Sequence, residues 1–146
     1  MTFSELPLLA TAAELQHLVS HEAAFTRAYG FVVVRAAPGL CELEVPHLPH
    51  FERPGGIASG QVLMNAADVA MWLAIKTVRG LDDPSVTGHM QTQFLRSVRC
   101  EAFRCEARLI SLARRTAYGE ARCLDLRGGL LAHHTLTFVM PAPIES

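Results

Sequence analysis

The chain has 146 residues, 50% of them hydrophobic and 18% charged, and its formal net charge is −1. These values exclude a disordered chain, which would be poorer in apolar residues, and a nucleic-acid-binding surface, which would need an excess of basic residues. The length is that of one compact domain, so residues 1–146 are expected to fold as a single unit.

The N-terminal stretch MTFSELPLLATAAEL lacks the basic start and apolar core of a secretory signal or a membrane span. We therefore expect a cytoplasmic protein that contacts no membrane and keeps its thiols reduced. The four cysteines show no CxxC spacing and are interpreted as small buried hydrophobic residues. They are Cys41, Cys100, Cys105 and Cys123.

Seven histidines raise the question of a metal site. His47 and His50 lie in a proline-containing loop without a nearby cluster of cysteines or carboxylates. His133 and His134 are adjacent in a predicted strand, which would point their rings to opposite faces. Neither pair has the spacing of zinc ligands, and we expect no metal.

The first predicted element is an amphipathic helix over residues 11–27. Its apolar face would be formed by Leu15, Leu18, Ala23 and Phe25. A β-hairpin follows, because FVVVRA is rich in β-branched residues, LCELEV alternates apolar and acidic residues, and a Pro-Gly pair separates them. Residues 46–58 contain several prolines and glycines and predict a loop.

A long apolar helix is predicted over residues 60–79, with Gly80 as its stop signal. Four strand-like segments follow, over residues 85–97, 100–112, 115–125 and 130–140. Consecutive strands beside segregated helices predict the α+β class with an antiparallel sheet. Because the long helix is apolar nearly all round, it must be surrounded, and we expect a curved sheet wrapped around it.

Asp68 is the one charged residue between Ser59 and Lys76 of this helix. Residues three and four apart share a helix face, so Asp68 lies at the centre of a polar stripe. The Asp68 stripe consists of Gln61, Met64, Asn65, Asp68 and Trp72. A carboxylate buried there either has a raised pKa or meets polar groups, and both outcomes suit a catalytic acid, base or nucleophile. The alternative is a structural hydrogen bond to a strand or at a dimer interface.

The start of the helix offers a second functional feature. Ser59 is a good N-cap, and Gly60 has no side chain to obstruct the first free N–H groups. These groups, with the helix dipole behind them, can stabilise an oxyanion. Gly60 and Asp68 are separated by ~12 Å of helical rise, which is too long for both backbones to touch one atom. The Asp68 side chain leans back towards the N-terminus, and a facing subunit could complete the gap.

The segments RPGGIASGQVLMNAADVAMWLAI and VTGHMQTQFLRSV resemble the hot-dog-fold acyl-CoA thioesterases, in particular their phenylacetate-degradation branch. In that family a Gly-rich loop leads to His-Gly-Gly at the head of the central helix, and a catalytic Asp follows eight residues after the first Gly. A strand with an aromatic-Leu-Arg sequence comes next. The resemblance spans about residues 31–140 and has the same order of elements.

The resemblance implies a hot-dog fold and hydrolysis of an acyl-CoA thioester to a free acid and CoA, without a metal or cofactor. Asp68 would act as general base or nucleophile, Gly60 would polarise the carbonyl, and Thr87 from a partner subunit would help to position the water. The site would lie at the interface of a homodimer, or of a dimer of dimers. The substrate-binding residues would be Arg53, Gly56, Ser59, Gln61, Asn65 and Trp72.

The acyl chain of the substrate would lie beside Met64, Met71 and Trp72. Its pantetheine would enter past the loop over residues 51–58. Three arginines are candidates for the CoA phosphates. They are Arg53, Arg96 and Arg99.

The chain departs from the family pattern at three positions. Ser59 replaces the His, Gln61 replaces the second Gly, and Arg53 stands where a loop Asn is frequent. These departures leave open a non-catalytic acyl-CoA-binding protein of the same fold, in which Asp68 is only a hydrogen-bonding residue. A hydratase of this fold is disfavoured, because its catalytic His would accompany the carboxylate and no His lies on the central helix.

Overall fold

The computed structural model of the protein describes residues 2–142. Its α-helices are α1 (Ala12–His17) and α2 (Gly60–Arg79). Its strands are β1 (Val32–Ala37), β2 (Leu40–Val45), β3 (Glu52–Arg53), β4 (Ile57–Ala58), β5 (Val86–Phe94), β6 (Phe103–Leu112), β7 (Thr116–Leu124) and β8 (Leu130–Val139).

A six-stranded antiparallel sheet has the strand order β1-β2-β6-β7-β8-β5. The long helix α2 packs against this sheet and contacts β2, β6, β7 and β8. Apolar side chains of α2 such as Leu63 and Leu73 share one core with inward-facing strand residues such as Leu43 and Phe103. The predicted α+β class, its antiparallel sheet and its central helix are confirmed.

Local sequence signals determine both ends of α2. The Ser59 side chain accepts a hydrogen bond from the Gln61 N–H at 3.3 Å, which satisfies one of the free donors of the first turn. At the other end, Gly80 has a φ of 98°, a conformation that side chains disfavour. The helix therefore ends as predicted. Among residues 2–142, none of the helices combines the length and the apolar character needed to cross a bilayer.

The N-terminal helix is shorter than the predicted residues 11–27. After α1, one π-helical turn spans Leu18–Glu22, and the chain is extended at Ala23. The hydroxyl of Thr26 donates hydrogen bonds to two backbone carbonyls, at 2.7 and 3.1 Å, which competes with continued helical pairing. As a result Phe25, expected on the buried helix face, is 57% exposed.

The predicted loop over residues 46–58 contains short regular elements. A 3₁₀ turn spans Pro49–Phe51, and β3 pairs with β4 in a small hairpin directly before α2. An isolated bridge pairs Ile57 with Arg99, so this loop is held against the segment that precedes β6.

The sheet of the same chain leaves the Asp68 stripe of α2 uncovered. Met64 is 37% exposed, and the other members of the stripe are half-buried or exposed. The sheet ends at the edge strand β5 beside this stripe, and β5 is exposed along most of its length, with Val86 and Phe94 each at 49%. The Asp68 stripe and β5 therefore lie together on one surface of the chain, which exposes the apolar side chains of Met64, Val86 and Phe94 among polar ones.

The two edges of the sheet differ in their protection. At the β1 edge, the Gln16 amide donates to the Phe31 carbonyl at 3.0 Å and accepts from the Val33 N–H at 2.7 Å. This side chain occupies backbone groups that another strand would otherwise bond. In the described part of the chain, no side chain hydrogen-bonds the backbone of β5 in this way.

Strand β5 carries a bulge at Gly88. Thr87 and His89 pair with consecutive residues of β8, so Gly88 is an extra residue in the ladder. The alternation of side chains shifts by one position there. Thr87 and Thr92 are five positions apart, yet one contacts Asp68 of α2 and the other reaches inward to His134. Without the bulge they would point to opposite faces.

Candidate active site

The carboxylate of Asp68 meets a hydroxyl from the next strand. Thr87 Oγ1 donates a hydrogen bond to Asp68 Oδ1 at 2.6 Å. Asp68 lies on α2 and Thr87 on β5, so one chain assembles this pair. The expectation that Thr87 of a partner subunit helps to position the water stays a prediction.

The surroundings of Asp68 favour a stronger base than an ordinary aspartate. Partial burial raises the pKa of Asp68 above its usual value, and the hydrogen bond from Thr87 lowers it in part. Burial is the larger effect, so the pKa remains raised. A carboxylate with a raised pKa accepts a proton more readily once it is ionised.

Asp68 and Thr87 line a cleft of about 240 Å³ with largely apolar walls, which we name the Asp68 cleft. Phe25 and Trp72 form one wall, with ring centroids 5.3 Å apart. The other lining residues are Val69, Ser85, Val86 and Phe138. The cleft is suited to a ligand that places an apolar group against these walls and a polar atom beside the Asp68–Thr87 pair.

Three residues are expected beside the acyl chain. Trp72 lines the Asp68 cleft and Met64 lies on the adjoining surface, but Met71 lies at neither place. Met71 is fully buried and packs against the sheet. Its methyl group lies so close to Gly119 of β7 that a Cβ at Gly119 would come within 2.5 Å of it. Met71 therefore belongs to the core, and its assignment to the acyl pocket is wrong.

A second cleft, of about 330 Å³, lies at the N-terminus of α2 and is named the Gly60 cleft. Ser59 accepts hydrogen bonds from the N–H groups of Gln61 and Val62. Among the described residues, no hydrogen bond from the N–H of Gly60 is found. A free N–H at a helix N-terminus can stabilise negative charge on an oxygen atom.

Gly60 and Asp68 do not share a cleft within one chain. The residues that line the Gly60 cleft and those that line the Asp68 cleft have no member in common. This agrees with the ~12 Å of helical rise between the two positions. That a facing subunit completes the gap between them stays a prediction.

The remaining polar residues assigned from the sequence lie near the helix start or on the stripe. Arg53 lines the Gly60 cleft and, with Ser59 and Gln61, an adjoining cavity of about 430 Å³. Asn65 lies one turn before Asp68, and its amide nitrogen is buried without a hydrogen-bond partner among residues 2–142. Such an orphaned donor indicates a missing acceptor, either in a substrate or in another subunit.

Gly56 and Arg99 lie apart from these groups, and Arg96 is engaged elsewhere. Gly56 lines neither cleft and packs against the sulfur of Cys100. Arg96 lines the Gly60 cleft, but its guanidinium pairs with Asp125. Arg99 lines neither cleft. Arg53 is therefore the best placed of the three arginines for a CoA phosphate.

Sequence reasoning missed a buried polar cluster beneath α2. His134 of β8 is fully buried, its Nδ1 lies 2.8 Å from Thr92 Oγ1, and its Nε2 lies 3.5 Å from the Cys123 sulfur. The hydrogen bond with Cys105, and then that with His134, hold the pKa of the Cys123 thiol low. Cys123 is itself fully buried, so a thioester does not reach it. The available signal was the alternation of side chains along β8, because it points His133 and His134 to opposite faces and so directs one of them inward.

Three cysteines are buried as expected, namely Cys41, Cys105 and Cys123. The same expectation is wrong for Cys100, which is exposed in the segment between β5 and β6.

Comparison with protein families gives one match. The model of the thioesterase superfamily matches residues 55–143, which include α2 and the strands from β5 to β8. Comparison with curated protein sequences gives no significant match.

Solved structures resemble this chain over most of its length. A conserved protein from Pseudomonas aeruginosa is 29% identical, with a TM-score of 0.77 over 82% of this chain and 94% of that chain. A mutant phenylacetic acid degradation protein from Thermus thermophilus is 28% identical, with a TM-score of 0.73 over 82% of this chain and 100% of that chain. Zebrafish thioesterase superfamily member 2 is 20% identical, with a TM-score of 0.81 over 90% of this chain and 99% of that chain. The predicted hot-dog fold is confirmed, and acyl-thioester hydrolysis in general is supported.

Proposed function

The chain belongs to the thioesterase superfamily, and from this premise we propose that it hydrolyses an acyl-CoA thioester to a free acid and CoA, with Asp68 as the catalytic residue. The observation that carries the proposal is the contact between Thr87 and Asp68. It holds a carboxylate of raised pKa in an apolar cleft that is open at the surface. These are the properties that a general base for water requires.

In the proposed reaction, the Asp68 carboxylate removes a proton from water while the water oxygen attacks the thioester carbonyl carbon. The negative charge that develops on the carbonyl oxygen is stabilised by the N–H of Gly60 and the dipole of α2. The carbon–sulfur bond then breaks, and the CoA sulfur accepts the proton from Asp68. Direct attack by Asp68, through a mixed anhydride that water hydrolyses, would give the same products.

The site is proposed to be completed by a second copy of the chain. Gly60 and Asp68 line different clefts of one chain, and about 12 Å of helical rise separates them, which favours a site that two chains share. A two-fold axis that pairs one α2 with another would bring the Gly60 of one copy towards the Asp68 of its partner copy. The assembly is then a homodimer, or a dimer of such dimers.

The surface offered to this second copy is the Asp68 stripe together with β5. Met64, Val86, Phe94 and Leu95 are each more than a third exposed there, which is unfavourable for a free surface. The β5 backbone edge is uncovered, whereas Gln16 occupies the β1 edge. Pairing through β5 would cover both the apolar side chains and the open edge.

The proposed substrate lies across both clefts. The acyl group occupies the Asp68 cleft beside Trp72, and the CoA portion passes the Gly60 cleft, where Arg53 is available for a phosphate. The apolar walls formed by Phe25, Trp72 and Phe138 suit an aromatic acyl group, which agrees with the proposed relation to the phenylacetate-degradation branch.

A thiol-release assay over short, long and aromatic acyl-CoAs tests the proposed activity. We expect turnover of at least one class, with aromatic acyl groups preferred. Binding of acyl-CoA without release of thiol from any member would favour the non-catalytic alternative, with Ser59 in place of the family His as the reason.

Replacing Thr87 with valine should change the pH dependence of hydrolysis. Valine keeps the shape but removes the hydrogen bond that lowers the pKa of Asp68. The pKa of Asp68 should rise further, so the acid limb of the kcat/KM profile should move to higher pH, because Asp68 must be ionised to accept a proton. At the plateau the rate should fall about 10-fold, the scale of losing a hydrogen bond to a charged group.

The matched control for this variant is Thr92→Val. Thr92 lies on the same strand and on the same side, but its hydroxyl meets His134. This variant should leave the acid limb where it is. An unmoved limb in Thr87→Val would show that Asp68 is not the group that titrates in catalysis.

Replacing Gly60 with alanine should lower kcat/KM by about 10-fold while the fold persists. A Cβ at Gly60 would lie 3.1 Å from the ring of Phe94, so the methyl group would crowd the cleft in front of the free N–H. The φ of Gly60 is not left-handed, and alanine favours helices, so thermal stability should not fall. An undiminished kcat/KM would remove Gly60 from the proposed site.

A further inference from the structure

Three side chains with metal-binding atoms meet where the loop over residues 46–58 touches the segment before β6. One ligand atom from each of His47, Glu52 and Cys100 lies within 4.8 Å of the other two. His47 Nε2 and Glu52 Oε1 are 2.8 Å apart. We propose that these three residues bind one zinc ion at a site distinct from the Asp68 cleft.

The donor atoms favour zinc over the other common divalent ions. A thiolate sulfur, an imidazole nitrogen and a carboxylate oxygen are the three ligand types that Zn²⁺ takes in proteins. Mg²⁺ and Ca²⁺ prefer sites made of oxygen atoms, and this cluster offers one carboxylate only.

Small side-chain movements would bring the three atoms to zinc geometry. Zinc bonds of about 2.0–2.3 Å in a tetrahedron hold ligand atoms roughly 3.3–3.6 Å apart. The His47–Glu52 pair would therefore open by about half an ångström, and the Cys100 sulfur would approach by up to about 1.3 Å. The side chains of His47 and Glu52 are 25% and 31% exposed, so water can supply the fourth ligand.

The fold holds Cys100 in position for this role. The bridge between Ile57 and Arg99 fixes the neighbouring backbone, and Cys100 itself has a left-handed φ of 50°. Its sulfur lies 3.6 Å from the carbonyl oxygen of Gly56. A Cβ at Gly56 would lie 3.3 Å from that sulfur, so the glycine leaves the space that the thiol occupies.

A bound ion would connect two chain segments that border the Gly60 cleft. Arg53 adjoins Glu52, Ser97 lies shortly before Cys100, and both line that cleft. The ion would therefore stabilise the cleft walls without touching the reacting groups. The sequence draws attention to His47 but does not predict this site, because Cys100 lies 53 positions further along the chain.

The test is zinc binding by the full-length protein after removal of metal with a chelator. Calorimetry should give one Zn²⁺ per chain, and Co²⁺ should give a thiolate-to-cobalt charge-transfer band. At a free Zn²⁺ concentration of about 100 times Kd, Tm should rise by about 5–10 °C. Cys100→Ser should abolish the band, and Cys100→Ser and His47→Ala should each weaken zinc binding at least about 10-fold.

The control variant is His50→Ala, which removes an exposed imidazole three positions from His47 that contacts the Ala28 carbonyl instead. It should bind zinc as the wild type does. If Cys100→Ser does not fold, Glu52→Gln tests the site through zinc affinity, which should fall at least about 10-fold while the thiolate-to-cobalt band remains. The proposal is overturned if no stoichiometric binding occurs, if His47→Ala binds normally, if His50→Ala is equally impaired, or if Mg²⁺ binds as tightly as Zn²⁺.

Discussion

Asp68→Asn should lower the rate of acyl-CoA hydrolysis by about 100-fold or more, the usual scale for losing a general base. Asparagine keeps the shape of the side chain, and its carbonyl oxygen can still accept the hydrogen bond from Thr87. It cannot remove a proton from water or attack a thioester. The measurement is thiol release with the best acyl-CoA of the panel. A folded variant with undiminished turnover would place catalysis elsewhere.

The same variant should be at least as stable as the wild type at neutral pH. Since burial raises the pKa of Asp68, the folded state binds the proton more tightly than the unfolded state does. The free energy of unfolding therefore falls as the pH rises from the ordinary pKa through the raised one, and it stays lower above that interval. Asparagine does not ionise, so the variant avoids this decrease in the free energy of unfolding. Thermal denaturation at several pH values measures it, and an unfolded Asp68→Asn protein would favour a structural role for the carboxylate.

Met64→Glu should convert the protein to a monomer and lower hydrolysis by about 100-fold or more. Met64 is 37% exposed on the Asp68 stripe, so a glutamate is tolerated in a single chain. In the proposed dimer its charge would be buried without a partner, which is strongly unfavourable. A monomer would keep Asp68 but lose the facing Gly60, and losing an oxyanion donor costs about 100- to 1,000-fold.

The comparison for Met64→Glu is Ile110→Glu. Ile110 is 52% exposed on β6, and two strands separate β6 from β5 in the sheet. This variant receives the same charge on an apolar surface position but should remain dimeric and active. Sedimentation equilibrium gives the mass, and the thiol assay gives the activity. A fully active Met64→Glu monomer would contradict the composite site.

Features that depend on neighbouring residues could be predicted from the sequence. Ser59 and Gly80 mark the ends of α2 because capping and a positive φ are local properties. The hairpin between β1 and β2 follows from a Pro-Gly turn between two strand-forming segments. The polar stripe follows from helical periodicity, which is enough to select Asp68 as a candidate catalytic residue.

Features that depend on distant contacts could not be predicted in this way. The N-terminal helix ends early because the Thr26 hydroxyl bonds to carbonyls upstream. Thr87 meets Asp68 within one chain because a single extra residue, Gly88, shifts the strand alternation. The exposure of the Asp68 stripe follows from strand order, since β5 ends the sheet beside it. Periodicity contains no information on any of these three.

In the proposed dimer, the unequal edges of the sheet also affect whether further copies of the chain can be added. A sheet with two open edges can add copies without end and grow into a filament. Here the Gln16 side chain occupies the Phe31 carbonyl and the Val33 N–H at the β1 edge, so a dimer paired through β5, as proposed, would leave an edge that a further strand can bond less readily. The backbone of a strand edge is alike in every protein and selects no particular partner. Discrimination between this chain and other chains of the same fold must therefore reside in the side chains around β5, such as Met64 and Phe94.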